Sequence, residues 1–438
     1  MGSCKHTTDY LARLAVAERA AAGESDQAIA ASVGWSVWTV RKWRRRYAQE
    51  GPAGLRSVMG RPPAGVLSSY PAEVREHLLS LRRTHPGWGP AVLLDQLQQD
   101  WPGQSLPSRA RVAALLGEQR LTRRYERHGG VATVQRTPTT QAHQVWQLDA
   151  QGPQPVAELG QVCLITIVDE FSRLKVESYP YLGRKPDGRD YQLLLRRAFL
   201  HFGLPEQLTL DHDSAFYDNT CRSPFPTRLH LWLVALGVAV SFIRTRRPTD
   251  HALIERQHQT LSAYALVGQT WPNQTALWRG LDQARTAFNG RVPCASLAGR
   301  PPLAAYPAAA CARREYRPEW EAELLDLERV YQLLATGRWF RQSNCQGEFW
   351  LGRQRYNVGR SYAKTWLEIH FEPTSGELVV YEGGAAYVAC FPASGLTKTA
   401  LMGDLATVAQ ADYQPMLPIS HEAWRELETY STLIGTTL

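Results

Sequence analysis

From residue 145 to residue 290 the spacing of apolar positions changes several times, and each change predicts an element. In VWQLDAQG, alternation puts Val145, Gln147 and Asp149 on one face of a short strand ending at Asp149. VCLITIVDEFSR and LKVESYPY are β-rich runs with a turn over Asp169 to Arg173 between them. DYQLLLRRAFLHFG has helical period, QLTLDHD is a further strand, RLHLWLVALG a buried helix and VAVSFIR a strand. DHALIERQHQTLSAYALVG and NQTALWRGLDQARTAFNG predict two more helices. Three strands in succession, then alternating helix and strand, predict a mixed sheet with helices on its faces over residues 144–310.

The texture changes again downstream. PEWEAELLDLERVYQLLA falls in a helical linker over 311–335. GRWFRQSNC, GEFWLGR, QRYNVG, WLEIHFE, GELVVYE and AYVACF are then short strands punctuated by Gly and Pro, the pattern of a small β-barrel over 336–395. The tail, 396–438, yields no reading.

The front of the chain is all-α. In SDQAIAASVGWSVWTVRKWRRRY, Ala30 precedes a turn glycine, Gly34. Ser36 then caps a helix whose Val40 and Trp43 face a core. That spacing is a helix-turn-helix pattern, placed over residues 1–50. Its second helix projects Arg41, Lys42, Arg44, Arg45 and Arg46, a set suited to DNA phosphates and groove edges. A helical hairpin unrelated to DNA can share the spacing; the arginine-laden helix favours DNA. Residues 68–121 predict a second helical unit, with Ser108 as a cap, readable as a second helix-turn-helix or as a spacer. Residues 122–143 lack periodicity and read as a basic connector.

Charge sharpens this division. Residues 1–143 hold 20 Lys and Arg against 11 Asp and Glu, a net +9, and the remainder 29 against 30, a net −1, so all of the +8 excess comes from the front. A basic front joined to a near-neutral body implies a polyanion-binding module attached to something else. At 438 residues and 44% hydrophobic, the chain can bury about three cores. Its seven cysteines are scattered, without a CxxC pair or a Cys/His cluster at zinc spacing, which implies a reducing compartment and no structural zinc. The longest apolar run, Leu229 to Ile243, is too short to span a bilayer, and the N-terminus has no signal-peptide pattern. A cytoplasmic protein without a membrane partner, nucleoid-associated when on DNA, is expected.

The candidate chemistry lies in three carboxylates. Asp149 and Asp211 each close a predicted strand, and Glu255 stands near the start of a helix introduced by Pro248 and Thr249 or Asp250. An unpaired carboxylate at the end of a buried strand is costly unless positive charge meets it. Three such groups form an all-oxygen set suited to Mg²⁺. Two ions roughly 4 Å apart can activate an attacking oxygen and stabilise a leaving one. Each acid alone is weak evidence, since strand-end aspartates often cap turns; the combination carries the case. Asp169 is expected to serve a structural turn, because an antiparallel second strand would end beside the start of the first. Asp213, two residues past Asp211, is expected in a solvated loop, with a role behind the metal ligands or facing DNA as the alternative, and Asp218 as a loop residue.

The ordered blocks WQLDAQG, TIVDEFSR, LTLDHDSAF and RRPTDHALIERQHQTL, with GRPPLAAYP after them, resemble the catalytic core of insertion-sequence transposases of the retroviral-integrase superfamily. The resemblance covers about 145–305 and implies a ribonuclease-H-like fold, with a mixed five-stranded sheet and a small SH3-like barrel behind it. It also implies an Asp-Asp-Glu triad of Asp149, Asp211 and Glu255 holding two Mg²⁺ ions, with Mn²⁺ as an expected substitute. Implied partners are double-stranded DNA, as element ends and target, and further copies of the chain. Arg244, Arg246 and Arg247 become candidates for DNA backbone contact, and His258 for contact with substrate phosphate or, equally, for a solvated or core-edge position. Three departures stand out: His212 replaces a usual Asn, Asp213 a usual Gly, and His251 an Asn expected before the glutamate. The 44-residue step from Asp211 to Glu255 is long for the family, and YDNTCRSPFP is the expected insertion. A decayed transposase acting as a DNA-binding regulator is the alternative reading, and a hybrid-specific ribonuclease a weaker third.

Overall fold

The structure, a computed structural model, describes residues 9–56, 66–122, 138–183, 185–218, 221, 223–243 and 252–403. It divides into two units, residues 1–70 and 71–438. The first holds α1 (Tyr10–Ala21), α2 (Asp26–Val33) and α3 (Val37–Glu50). Gly34 ends α2 at φ +70°, a conformation that favours glycine, and the Ser36 hydroxyl caps α3 by accepting from the Thr39 N–H at 3.1 Å. Val16, Ile29, Ala30 and Val40 form its core beside Trp43, over which the Arg13 guanidinium lies at 4.2 Å.

The second unit opens with α4 (Ala72–Thr84), α5 (Pro90–Asp100) and α6 (Arg109–Glu118), the last capped by Ser108. These helices dock on the rest of the unit through Trp88, whose indole N–H donates to the Tyr264 carbonyl at 3.1 Å while the two rings stack. Gly87 permits the approach: a Cβ there would sit 1.6 Å from the Ala263 carbonyl oxygen.

Five strands come next: β1 (Val145–Val156), β2 (Gly160–Asp169), β3 (Lys175–Leu182), β4 (Gln207–Leu210) and β5 (Ala239–Phe242), in the order β3-β2-β1-β4-β5. β1, β2 and β3 pair antiparallel; β4 and β5 add parallel. The helices are α7 (Gly188–Phe202), α8 (Arg228–Ala235), α9 (Ala252–Ala265) and α10 (Gln274–Gly290). β2 is apolar at nearly every position because both faces are covered. Cys163, Ile165 and Ile167 share a core with α7 and α8, and Val162 and Leu164 one with α9 and α10.

Short helices α11 (Pro302–Ala305), α12 (Glu321–Leu324) and α13 (Leu327–Ala335) lead to β6 (Arg338–Gln342), β7 (Glu348–Leu351), β8 (Gln354–Asn357), β9 (Trp366–Glu372), β10 (Glu377–Glu382) and β11 (Ala386–Pro392), and then α14 (Lys398–Met402). A closed barrel is not confirmed here. The strands form an open four-stranded sheet, β11-β10-β9-β6, and a separate β7–β8 hairpin. Closure is not needed, because Leu367, Ile369, Phe371, Leu378 and Val380 bury against α13 and join the hydrophobic core of the five-stranded sheet. The expected insertion makes part of this junction: Phe225 packs edge-on against Trp339, whose indole N–H donates to the Pro224 carbonyl at 3.1 Å. A buried network strengthens it. Arg196 of α7 donates to both Glu321 oxygens, at 2.7 and 2.6 Å, and Trp232 and Tyr316 also donate to that carboxylate.

Candidate active site

Strand register sets the first two acids side by side. β1 and β4 are parallel with Gln147 opposite Thr209, and two residues further along each chain stand Asp149 and Asp211. Side chains repeat every second residue on a face, and neighbouring strands lie about 4.8 Å apart, so both carboxylates project from the same face. Asp149 is not at a strand end, as the sequence suggested: β1 runs on to Val156, and the pairing with β4 stops just before it.

The third acid comes from α9. Ile254, Gln257, His258, Leu261, Ser262 and Ala265 form the buried face of this helix, and the Ser262 hydroxyl donates to the Gln151 side-chain oxygen at 3.0 Å. That bond sets α9 against β1 just beyond Asp149. Glu255 stands exposed in the first turn at the margin of the packed face.

Burial first, then the Asp211 charge and, more weakly, Glu255 and Asp213, push the Asp149 carboxyl up to about 6; the Ala150 N–H opposes them. Burial also raises Asp211, against the Asp213 N–H, which donates to it at 3.0 Å. Among the described residues, no three His, Cys, Asp or Glu side chains are gathered closely enough to enclose an ion. Asp149 and Asp211 are neighbours, and Glu255 reaches Asp149 as a repelling charge. An all-oxygen set under mutual repulsion fits a hard divalent cation, which would relieve both the desolvation and the repulsion.

The loop after Asp211 differs from expectation. Asp213 is buried, not solvated: Lys185 pairs with it at 2.9 Å, the Tyr191 hydroxyl donates at 3.4 Å and the Ala215 N–H at 2.9 Å. Neither His212 nor Asp213 has positive φ, so side chains stand there without backbone strain. His212 packs on Phe242 and Tyr217, and Phe216 is buried against Tyr191. Lys185 and Tyr191, which hold this loop, had no recognisable spacing in sequence; only the folded contacts reveal them.

Other candidates separate clearly. Asp169 lies opposite Trp146, three residues from Asp149, and accepts from the His143 N–H and from the Ser172 N–H and hydroxyl, a structural turn. His258 is buried on the packing face of α9, with Nδ1 3.9 Å from Asp149 Oδ2. Asp218 lies in the loop, 3.7 Å from Arg341. In α3, Arg41 and Arg44 pair with Asp26 at 3.2 and 2.8 Å, Lys42 and Arg46 lie over Trp43, and Arg45 is exposed. Arg244, Arg246, Arg247 and His251 lie outside the described residues, as do most of the connector and the tail.

Comparison with known proteins agrees with this layout. An integrase core domain model matches residues 139–248, and homeodomain-like domain models match 7–56 and 39–116. An integrase core preceded by homeodomain-like domains is the domain content of an insertion-sequence transposase. Similar solved structures include the catalytic core domain of BIV integrase, 15% identical over 38% of this chain and 95% of that one, with a TM-score of 0.28. The simian T-cell lymphotropic virus intasome is 13% identical over 72% and 95%, with a TM-score of 0.33. The HTLV-2 integrase core in complex with magnesium is 16% identical over 37% and 94%, with a TM-score of 0.28. Overlaps this loose carry no weight; the domain matches carry the assignment. Among the described residues no helix is long and apolar enough to cross a membrane.

Proposed function

We propose that the chain is a metal-dependent DNA transposase that cleaves element ends and joins them to target DNA. The observation that carries this reading is the register that sets Asp149 beside Asp211 on adjacent parallel strands, with Glu255 adding its charge from α9. Asp149, Asp211 and Glu255 would hold two Mg²⁺ ions, with Mn²⁺ able to replace them. When bound, the ions activate the attacking oxygen and stabilise the leaving one.

The chain's own residues prepare this site. The Asp213 N–H fixes one Asp211 oxygen, and the Ala215 N–H fixes Asp213 in turn. Lys185 offsets the Asp213 charge. In the first step a water oxygen forms a bond to phosphorus as the bond to the 3′-oxygen breaks, freeing a 3′-hydroxyl at the element end. In the second, that hydroxyl attacks a target phosphodiester in line, loses its proton to solvent and displaces the target 3′-oxygen. No covalent bond to the protein forms. The α3 residues Arg41, Lys42, Arg44, Arg45 and Arg46 would meet element-end DNA, with Arg244, Arg246 and Arg247 as further contacts to its backbone. Holding two ends together requires more than one copy.

Strand transfer with labelled oligonucleotides, taken from the inverted repeats beside the coding sequence, tests this in Mg²⁺ or Mn²⁺. Asp149→Asn, Asp211→Asn and Glu255→Gln should each bind DNA and fail to join it. Joining that survives Asp211→Asn but is lost in Asp213→Asn would overturn the assignment.

A further inference from the structure

A cleft of about 690 Å³ opens beside the candidate active site, between the loop after Asp213 and the β7–β8 hairpin. Ser214, Ala215 and Tyr217 form one wall, and Trp350 and Arg353 belong to the other. Arg189 and Arg228, at the starts of α7 and α8, and Arg341 of β6 complete a ring of four arginines. Two acids share the space, each already engaged. Asp187 accepts from the Arg189 and Asp190 N–H groups, and Asp218 lies by Arg341 and Cys221. The cleft keeps a net positive charge. Among the described residues neither Arg228 nor Arg353 has an ion-pair partner.

The hairpin tip is built in an unusual way. Gly352 and Arg353 are its two turn residues, at φ +56° and +67°. Two left-handed residues in succession are the turn that usually takes Asn-Gly. Gly352 meets that need and its close approach to Phe225, where a Cβ would lie 3.0 Å from the ring. Arg353 does not: a long side chain at left-handed φ costs stability that glycine or asparagine would spare. Strain kept at a cleft wall points to a function for the guanidinium. Beside it Trp350 is 50% exposed, although tryptophan usually buries its ring.

We propose that this cleft holds one unpaired nucleotide of the DNA strand being processed, its base on Trp350 and its phosphate between Arg228 and Arg353. The volume is that of a small-ligand site, not of a groove holding a duplex. Arginine suits phosphate, and an exposed aromatic face suits any base. The inference rests on the DNA-strand chemistry proposed above, because the cleft shares its wall with the loop carrying Asp211.

Fluorescence anisotropy with the full chain, in EDTA so that no cleavage intervenes, tests it. The probes are a duplex with a short single-stranded overhang, the same duplex with blunt ends, and dAMP. Wild type should prefer the overhang. Trp350→Ala and Arg353→Gly should each weaken overhang binding about tenfold, within the range of one base stack, and leave blunt binding unchanged. Arg353→Gly relaxes the turn, so its melting temperature should not fall and a folding defect cannot explain the loss. Variants that bind the overhang like wild type would overturn the proposal. Saturation by dAMP without an overhang preference would overturn it in favour of a free nucleotide. A chain that prefers overhangs yet never joins DNA would refute the transposase reading and leave this one standing; joining without the preference would do the reverse.

Discussion

Replacing Asp149 by asparagine should make the metal-free protein more stable, while removing its response to metal. The carboxyl has an ordinary value of 3.8 and is raised to about 6 in the fold. Between those values the folded chain holds a proton that the unfolded chain has lost. Stability therefore falls as pH rises through that window, and the penalty is complete above about 6. At about 1.4 kcal/mol per tenfold, the rise corresponds to roughly 3 kcal/mol. An amide in the same place also loses hydration, and it forgoes the Ala150 N–H bond to a charged oxygen, so the net gain should be about 1–2 kcal/mol. Thermal unfolding at pH 7.5 should show Asp149→Asn melting about 2–5 °C above wild type, with the difference shrinking towards pH 4. Mg²⁺ at a hundred times its dissociation constant should stabilise wild type by about 2.7 kcal/mol and the variant by much less. A variant no more stable than wild type at pH 7.5, or one with the same Mg²⁺ gain, would refute the reasoning.

Two further substitutions test how the site is held. Arg196→Met strands the fully buried Glu321 carboxylate and should cost about 3–5 kcal/mol in urea unfolding, with the double change Arg196→Met and Glu321→Leu recovering most of it; a loss below about 1 kcal/mol would show that the pair does not couple α7 to α12. Asp213→Gly restores the residue usual in the family but removes the contacts to Lys185, Tyr191 and Ala215. With no positive φ for glycine to relieve, it should lower stability by about 1–3 kcal/mol, and a rise in melting temperature would contradict this account of the loop.

Much of the local structure was legible because it depends on near neighbours. Ser36 and Ser108 cap helices, Gly34 turns the chain, and Val40 and Trp43 face a core, all decided within a few residues of one another. The antiparallel hairpin that places Asp169 opposite Trp146, away from Asp149, arises from one turn. The three acids were visible in the sequence as carboxylates carried by two strands and a helix.

Their arrangement was not, because it depends on contacts between distant parts of the chain. Only the register of β1 on β4 sets Asp149 beside Asp211, and no local pattern specifies how two strands about sixty residues apart align. Burial of His258, the Lys185 partner of Asp213 and the docking of Phe225 on Trp339 are likewise products of packing. Strand periodicity predicted the C-terminal β elements, but whether they close is settled by what covers their apolar face. Here α13 and the main core cover it, and the sheet stays open. The sequence by itself determined which elements form and which side chains can do chemistry; tertiary structure decided which of them meet, because burial and charge repulsion act across space and not along the chain.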